Sequence, residues 1–476
     1  MARSLGLLCL FTLANAYTIF DTNCTHPSTT VSFVSSVNAR GTIDILWSSL
    51  FTILACTWTV LHLNVPEQRL DRDTGWRGDI KWAVKGFLTS AKWMLITVLA
   101  PELLLAKYAG DLVSALDDAR FKKAYAEEDE VPWTIVHSFF ANMGGFAIRS
   151  YVPERVGKQE EAGTQTDRDR PQGLDGDQEH KQPGNSITTT EADTARLHGQ
   201  ELYHLVGDDI VKLRRQGALS RLPYISLEEL QDRSKVDSFT RAIAVVQILW
   251  TVIQICTRAA RHLAISQLEI AVAAFAASAI AIYGLNWDKP KGVQVPITIL
   301  QYKSKVPNTI SRVLESTLKM RSGRTGWLAA SAEDLFGQRH SEPGAHIGNL
   351  VVNSIFNGLI VEYLGLLLGS AIFGGIHLAA WNFHYPTRTE QLLWRIASLW
   401  CTCFCLVVTL IIIIKEKVED ALPFSLDTLE NKVIELSLIL YVVARLYLLV
   451  EIFRTLFFLP PSAYISTWAT NVPHVA

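Results

Sequence analysis

The chain has 476 residues, 49% of them hydrophobic and 19% charged, with 13 tryptophans and a formal net charge of −2. That length accommodates one membrane domain plus a soluble insertion. The near-neutral balance provides no global basic field for nucleic acid. Six of the seven cysteines lie in apolar runs (Cys24 is the exception), which argues against a disulfide framework.

The N-terminus reads as a secretory signal over 1–16. Arg3 supplies the positive end, 5–13 the apolar core, and Ala14-Asn15-Ala16 an A-x-A cleavage site. Cleavage leaves 17–41 lumenal or extracellular, where Asn23-Cys24-Thr25 is a glycosylation sequon. A first span follows over 42–65. Trp47 and Trp58 lie near its two ends, and Arg69, Arg72, Arg77 and Lys81 come directly after it. Positive charge beyond a span marks its cytoplasmic end.

The region 66–151 is expected to be cytoplasmic or interfacial, and helical. Its apolar stretch 93–106 contains Pro101 and Glu102. As a helix it reaches about 21 Å, short of a hydrocarbon core of roughly 30 Å, so it reads as interfacial or re-entrant. The stretch 133–148 is similar, being short and broken by Gly144-Gly145. From 152 to 200 apolar side chains nearly vanish, which predicts a disordered linker. A small helical segment is expected over 201–238, its second helix opening on the capping box of Ser226-Leu227-Glu228-Glu229.

Two spans are predicted within 239–285. In the second, Ala273, Ala277 and Ala281 form a small-residue stripe that favours close helix approach. Glu269 opens that helix as a carboxylate complementing the dipole. A basic cytoplasmic loop over 286–348 follows, and its 302–324 portion suits contact with an anionic leaflet as well as plain positive-inside topology. Three further spans fill 349–459, and 460–476 forms an external tail. The fold class expected is therefore all-α: a polytopic membrane protein of about six spans, with interfacial or re-entrant helices and a disordered insert. If 93–106 does not cross, both basic regions fall inside and both termini outside, in keeping with the positive-inside tendency.

Glu362 and Arg445 stand centrally in late apolar spans, and charge at membrane depth faces protein or water. Two readings stay open for them: an intramembrane ion pair or relay, and a structural helix lock. Glu451 and Arg454, at i,i+3 spacing near Pro460, fit interfacial snorkelling. Gly365 and Gly369 form a G-x-x-x-G packing signal. His377 and His384 lie in the polar-aromatic stretch GGIHLAAWNFHYPT. Two turns apart, they read as part of an interfacial belt rather than a metal pair. Alternate residues on a helix point about 200° apart, so Cys401, Cys403 and Cys405 cannot converge on one ion and read as small packing residues. No Walker loop, nucleophile elbow, zinc-protease motif or EF-hand loop occurs, so neither catalytic residue, cofactor nor metal is assigned.

Several stretches resemble a family of predicted fungal multi-pass membrane proteins without assigned activity. They are TIDILWSSLFTILACTWTVLHLNVP (42–66), WMLITVLAPELLLAK (93–107), WTIVHSFFANMGGFAI (133–148), residues 228–259, GLNWDKPKGV (284–293), residues 373–398, and the tail from Arg445. Here NWDKP stands where the family has a more aromatic WW-x-KP. The resemblance implies membrane localisation and a shared fold, and it carries over no site residues. The function expected is a structural or signalling role in the secretory or plasma membrane, in contact with the lipid bilayer and an unidentified protein partner. The alternative is a transporter or channel using the Glu362/Arg445 pair.

Overall fold

The computed structural model describes residues 40–66, 68, 75–151, 200–234, 238–322, 346–349, 358–421 and 427–467. In chain order the elements are α1 (Thr42–Thr59), α2 (Trp76–Leu99), α3 (Pro101–Glu128), α4 (Ile135–Asn142), β1 (Phe146–Tyr151), β2 (Gln200–Leu205), α5 (Gly207–Arg215) and α6 (Leu227–Arg233). They continue with α7 (Ser238–Ala260), α8 (Gln267–Leu285), β3 (Ile297–Tyr302), α9 (Asn308–Ser322), α10 (Gly358–Leu378), α11 (Arg388–Ala421) and α12 (Asp427–Arg454). The fold is all-α in class, with one small sheet. The signal segment, Asn23, most of the 152–200 linker, the end of the basic loop and the last tail residues lie outside the described residues.

Among the described residues six helices, α1, α7, α8, α10, α11 and α12, are long and apolar enough to cross a bilayer. Their starts follow local chemistry. Asp44 accepts the Gly41 N–H (2.9 Å) ahead of α1. The Ser266/Glu269 capping box opens α8, and Ser226 caps α6 as its sequence predicts. The membrane core is built from α1, α8, α10, α11 and α12 around Phe275, Phe373, Trp394, Phe404 and Tyr441.

The 93–106 stretch is the meeting point of α2 and α3. Pro101 is the first residue of α3, where its missing N–H costs no helical bond, and the chain bends there through 108°. A turn beyond a right angle sends α3 back toward the side from which α2 came, so the pair is not one straight span.

The second core departs from the sequence expectation. The 133–148 stretch is helical only to Asn142. Gly144 then takes a left-handed φ of 82°, a Cβ on Gly145 would lie 2.5 Å from Phe140, and the chain leaves as strand β1. Residues 201–205, expected to be helical, lie in strand β2, which starts at Gln200. The 286–348 stretch, expected to be a loop, contains β3 and α9. The sheet order is β2-β1-β3, with β1 antiparallel to β2 and parallel to β3. Phe140, Phe146, Ile148, Leu205, Ile210 and Leu314 pack beneath it. Because α9 buries Ile310, Val313 and Leu314 in this core, the described part of the basic stretch, 302–322, is part of a folded module rather than a free loop. A hydrogen-bonded sheet lies on one side of a bilayer, so 146–151, 200–205 and 297–302 share a side.

At the opposite end of the bundle Arg258 donates to the carbonyls of Ala264, Ser462, Ala463 and Ile465, at 2.8 to 3.0 Å. Arg40 pairs with Glu269 (2.6 Å) beside it. These bonds staple the start of α1, the α7–α8 turn and the segment after α12 together.

Candidate functional site

The buried charges converge on α3. Glu102 stands in its first turn, 4% exposed. From the middle of α12, Arg445 donates Nε–H to the Leu99 carbonyl (2.6 Å), places Nη2 3.7 Å from Glu102 Oε2, and lays its guanidinium 3.9 Å from the Phe373 ring centre. Leu99 ends α2 and Glu102 begins α3. The cation therefore meets the negative end of one helix, while the carboxylate sits at the positive end of the next. Both arrangements offset the cost of burying charge. Leu99, Phe275, Phe373, His377, Arg445 and Leu448 line a cavity of about 20 Å³ here, room for one water and nothing larger.

Glu362 does not take part. Helices α3 and α10 run antiparallel in close contact. A Cβ on Gly369 would lie 2.7 Å from Glu102 Cβ, and one on Gly365 2.7 Å from Ala106 Cα. Seven residues before Gly369, Glu362 lies about 10 Å further along α10, away from the depth of Arg445. It is half-buried, makes no hydrogen bond or ion pair among the described residues, and has Asp111 and Lys107 as its charged surroundings. The ion pair expected from sequence thus forms with Glu102 instead.

One to two turns further along α3, Lys107 is ion-paired to Asp111, whose Oδ2 also accepts from Lys289 Nζ at 2.7 Å. Lys289 belongs to the NWDKP turn after α8 and reaches Asn64 Oδ1 at 3.4 Å. Both ammonium groups lie over the Tyr108 ring, whose hydroxyl accepts the His62 N–H (2.9 Å). The Asn64 amide donates to the Gly348 carbonyl (3.0 Å). One buried cluster therefore clips four chain segments where the bundle meets the sheet module. Further down α3, Lys122 pairs with Asp118 (2.5 Å) inside that module. At 100° per residue, Lys107, Asp111, Asp118 and Lys122 fall within about 60° of one another on the helix. The sequence carried a signal for them in the i,i+4 opposite charges at 107/111 and 118/122.

Burial pulls the Lys289 ammonium down to about 7; Asp111 opposes that pull and Lys107 adds to it. Between about pH 7 and the ordinary lysine range the unfolded chain holds a proton that the folded one has released, so stability rises with pH. The slope contributed by this group is at most about 1.4 kcal/mol per pH unit. Thermal unfolding followed over that range should show the rise, and Lys289→Met should remove it. An unchanged slope in the variant would assign the effect to another group.

The remaining candidates have separate environments. His377 is 2% exposed: its Nδ1 meets the Phe373 carbonyl (2.8 Å), and its ring packs between Phe373 and Trp394. His384 is exposed and joins no site, although its carbonyl accepts from Gln267 (2.9 Å). Glu451 is buried rather than snorkelling, 3.1 Å from Arg454 Nε, and Arg454 also pairs with Glu390 of α11. Cys401 and Cys405 are buried against neighbouring helices, Cys405 Sγ lying 3.0 Å from Ser370 Oγ, while Cys403 is only half-buried.

The profile of a family described as a family of unknown function (DUF8562) matches residues 10–166, 205–317 and 363–475. The chain belongs to that family. Glu102, Lys107, Asp111, Lys289 and Arg445 fall within the matched stretches of the family, and Glu362 falls one residue before the last of them. No curated protein and no solved structure matches.

Proposed function

We propose that this polytopic protein acts without catalysis, as a structural or signalling component of the secretory or plasma membrane that holds a folded cytosolic module rigidly against its bundle. The observation that carries the reading is the course of α3. It starts at the Glu102–Arg445 pair inside the bundle, passes the Lys107–Asp111–Lys289 cluster at the boundary, and ends with Tyr125 and Ala126 in the core beneath the sheet. Its 28 residues form a rod of about 42 Å. A displacement at either end is transmitted to the other, because one end is anchored by the Glu102–Arg445 pair and the other by the Lys122–Asp118 pair and the packing of Tyr125 and Ala126. On the positive-inside tendency the module is cytosolic, with Asn23 on the lumenal face.

A transporter reading draws on one feature, the two helix ends that meet at membrane depth, where such proteins bind ions. Arg445 itself occupies that position, and the adjoining cavity admits no more than one water.

Hydrogen exchange on the full-length protein in nanodiscs separates the two. In Glu102→Gln, amides of β1 and α9 should exchange faster than in wild type while the protein stays folded. Faster exchange confined to α2, α3 and α12 would end the coupling reading. A proton or sodium flux in proteoliposomes that depends on Glu102 would replace it with the transporter reading.

A further inference from the structure

Helix α2 has an unusual environment. From Trp76 to Thr89 all but two of its residues are exposed, and a Cβ on Gly86 would meet nothing within 4 Å. Its last turns enter the bundle through Trp93 and Ile96, and Phe87 touches Trp58 of α1. A helix that leaves Trp76, Ile80, Val84, Phe87 and Leu88 this exposed gains stability from an apolar surface that covers them.

Its side chains identify that partner. Trp76, Ile80, Val84, Phe87 and Leu88 are all exposed and fall within an arc of about 120° at 100° per residue. Arg77, Lys81, Lys85 and Lys92 occupy the adjoining arc, from about 100° to about 180°. An apolar stripe bordered along one edge by basic side chains is the pattern of a helix lying in a bilayer interface.

The geometry agrees. Close antiparallel contact aligns the start of α3 with the span α10, so α3 follows the membrane normal there. The 108° bend then leaves α2 inclined by only about 18° to the membrane plane. Over its 24 residues, about 36 Å, it climbs about 11 Å. Leu99 sits at the mid-span depth of Arg445, and half a hydrocarbon core is about 15 Å. Trp76 therefore arrives within about 4 Å of the headgroup boundary, on the side that carries the sheet module. A ring contact of 5.8 Å between Phe87 and Trp58, near the end of span α1, holds the helix at that level.

We propose that α2 is an in-plane amphipathic helix whose Arg77 and Lys85 bind the headgroups of anionic phospholipids, with the Trp76–Leu88 stripe in the acyl boundary. The occupant is lipid rather than a soluble partner, because the stripe faces the membrane at membrane depth and its flanking charges complement an anionic leaflet.

Hydrogen exchange of residues 76–89 tests this in the full-length protein, in nanodiscs of phosphatidylcholine alone and of phosphatidylcholine mixed with phosphatidylserine. Two basic side chains near an anionic surface should raise protection about 30-fold in the mixed lipid. The double variant R77Q/K85Q should lose that increment while α8 stays as protected as in wild type. Equal protection of the wild type in the two lipids overturns the proposal, whatever the folding of the variant. So does an increment that survives in the double variant, or protection that is already complete in detergent and falls on dilution, which assigns the stripe to a second copy of the chain.

Discussion

Arg445→Leu is expected to cost about 3–5 kcal/mol of stability, the scale for removing one partner of a buried ion pair. Three things are lost together. Glu102 is left at 4% exposure without its counter-charge, the Leu99 carbonyl loses its donor, and the Phe373 ring loses its cation. Glu102→Leu should cost less, because Arg445 keeps the Leu99 carbonyl and the ring. The double variant E102L/R445L should recover most of the loss, since two apolar side chains of similar volume carry no desolvation penalty. Thermal unfolding of the four proteins in one detergent closes the cycle. Coupling of several kcal/mol is expected for groups in contact, and simple additivity would mean that the two charges do not stabilise one another. Glu362→Gln belongs beside this cycle as the contrasting result. With no ion pair to lose, it should change stability by no more than about 0.5 kcal/mol and add independently to Arg445→Leu.

The difference between Glu102 and Glu362 marks where sequence reading stops. Runs of about twenty apolar residues are a local signal set by bilayer thickness, so the six spans are visible in the chain itself. So is the break at Pro101, because a missing N–H acts on its own turn. Which charge meets Arg445 is decided instead by the register of α10 on α3, through contacts between residues more than 250 positions apart in the chain. Glu362 is central in its apolar run and Glu102 is not. Centrality in a run is nonetheless not depth, because Glu362 lies seven residues, about 10 Å, from the level at which Gly369 meets Glu102.

The sheet was hidden for a related reason. FAIRSY and QELYHL are six-residue strings separated by a polar stretch of nearly fifty residues, not by the two- to five-residue turn that announces a hairpin in sequence. The third strand pairs in parallel from beyond two membrane spans. Nothing local distinguishes such a strand from the end of a short helix. The Lys107–Asp111–Lys289 cluster lay halfway between these cases. The i,i+4 pair was written in α3, while the arrival of Lys289 depended on the turn that follows α8.

Gly369→Ala and Gly374→Ala should each destabilise the bundle, while Gly375→Ala should not. An added Cβ at Gly374 would come within 2.6 Å of the Thr402 backbone nitrogen, and one at Gly369 within 2.8 Å of Glu102 Cα. Backbone cannot rotate out of the way, so in each case two helices have to separate, at an overpacking cost of about 1–3 kcal/mol. At Gly375 a Cβ meets nothing within 4 Å, and exchanging glycine for the better helix former is neutral or favourable. Three melting curves over one short stretch of α10 therefore check the packing register directly. A second measurement links it to the charges. Pushing α3 away at Gly369 also carries Glu102 away from Arg445, whereas Gly374 faces α11. Gly369→Ala should consequently cost less in the E102L/R445L background than in wild type, and Gly374→Ala should cost the same in both. Equal costs for Gly369→Ala in the two backgrounds would mean that the α3–α10 contact does not position the ion pair.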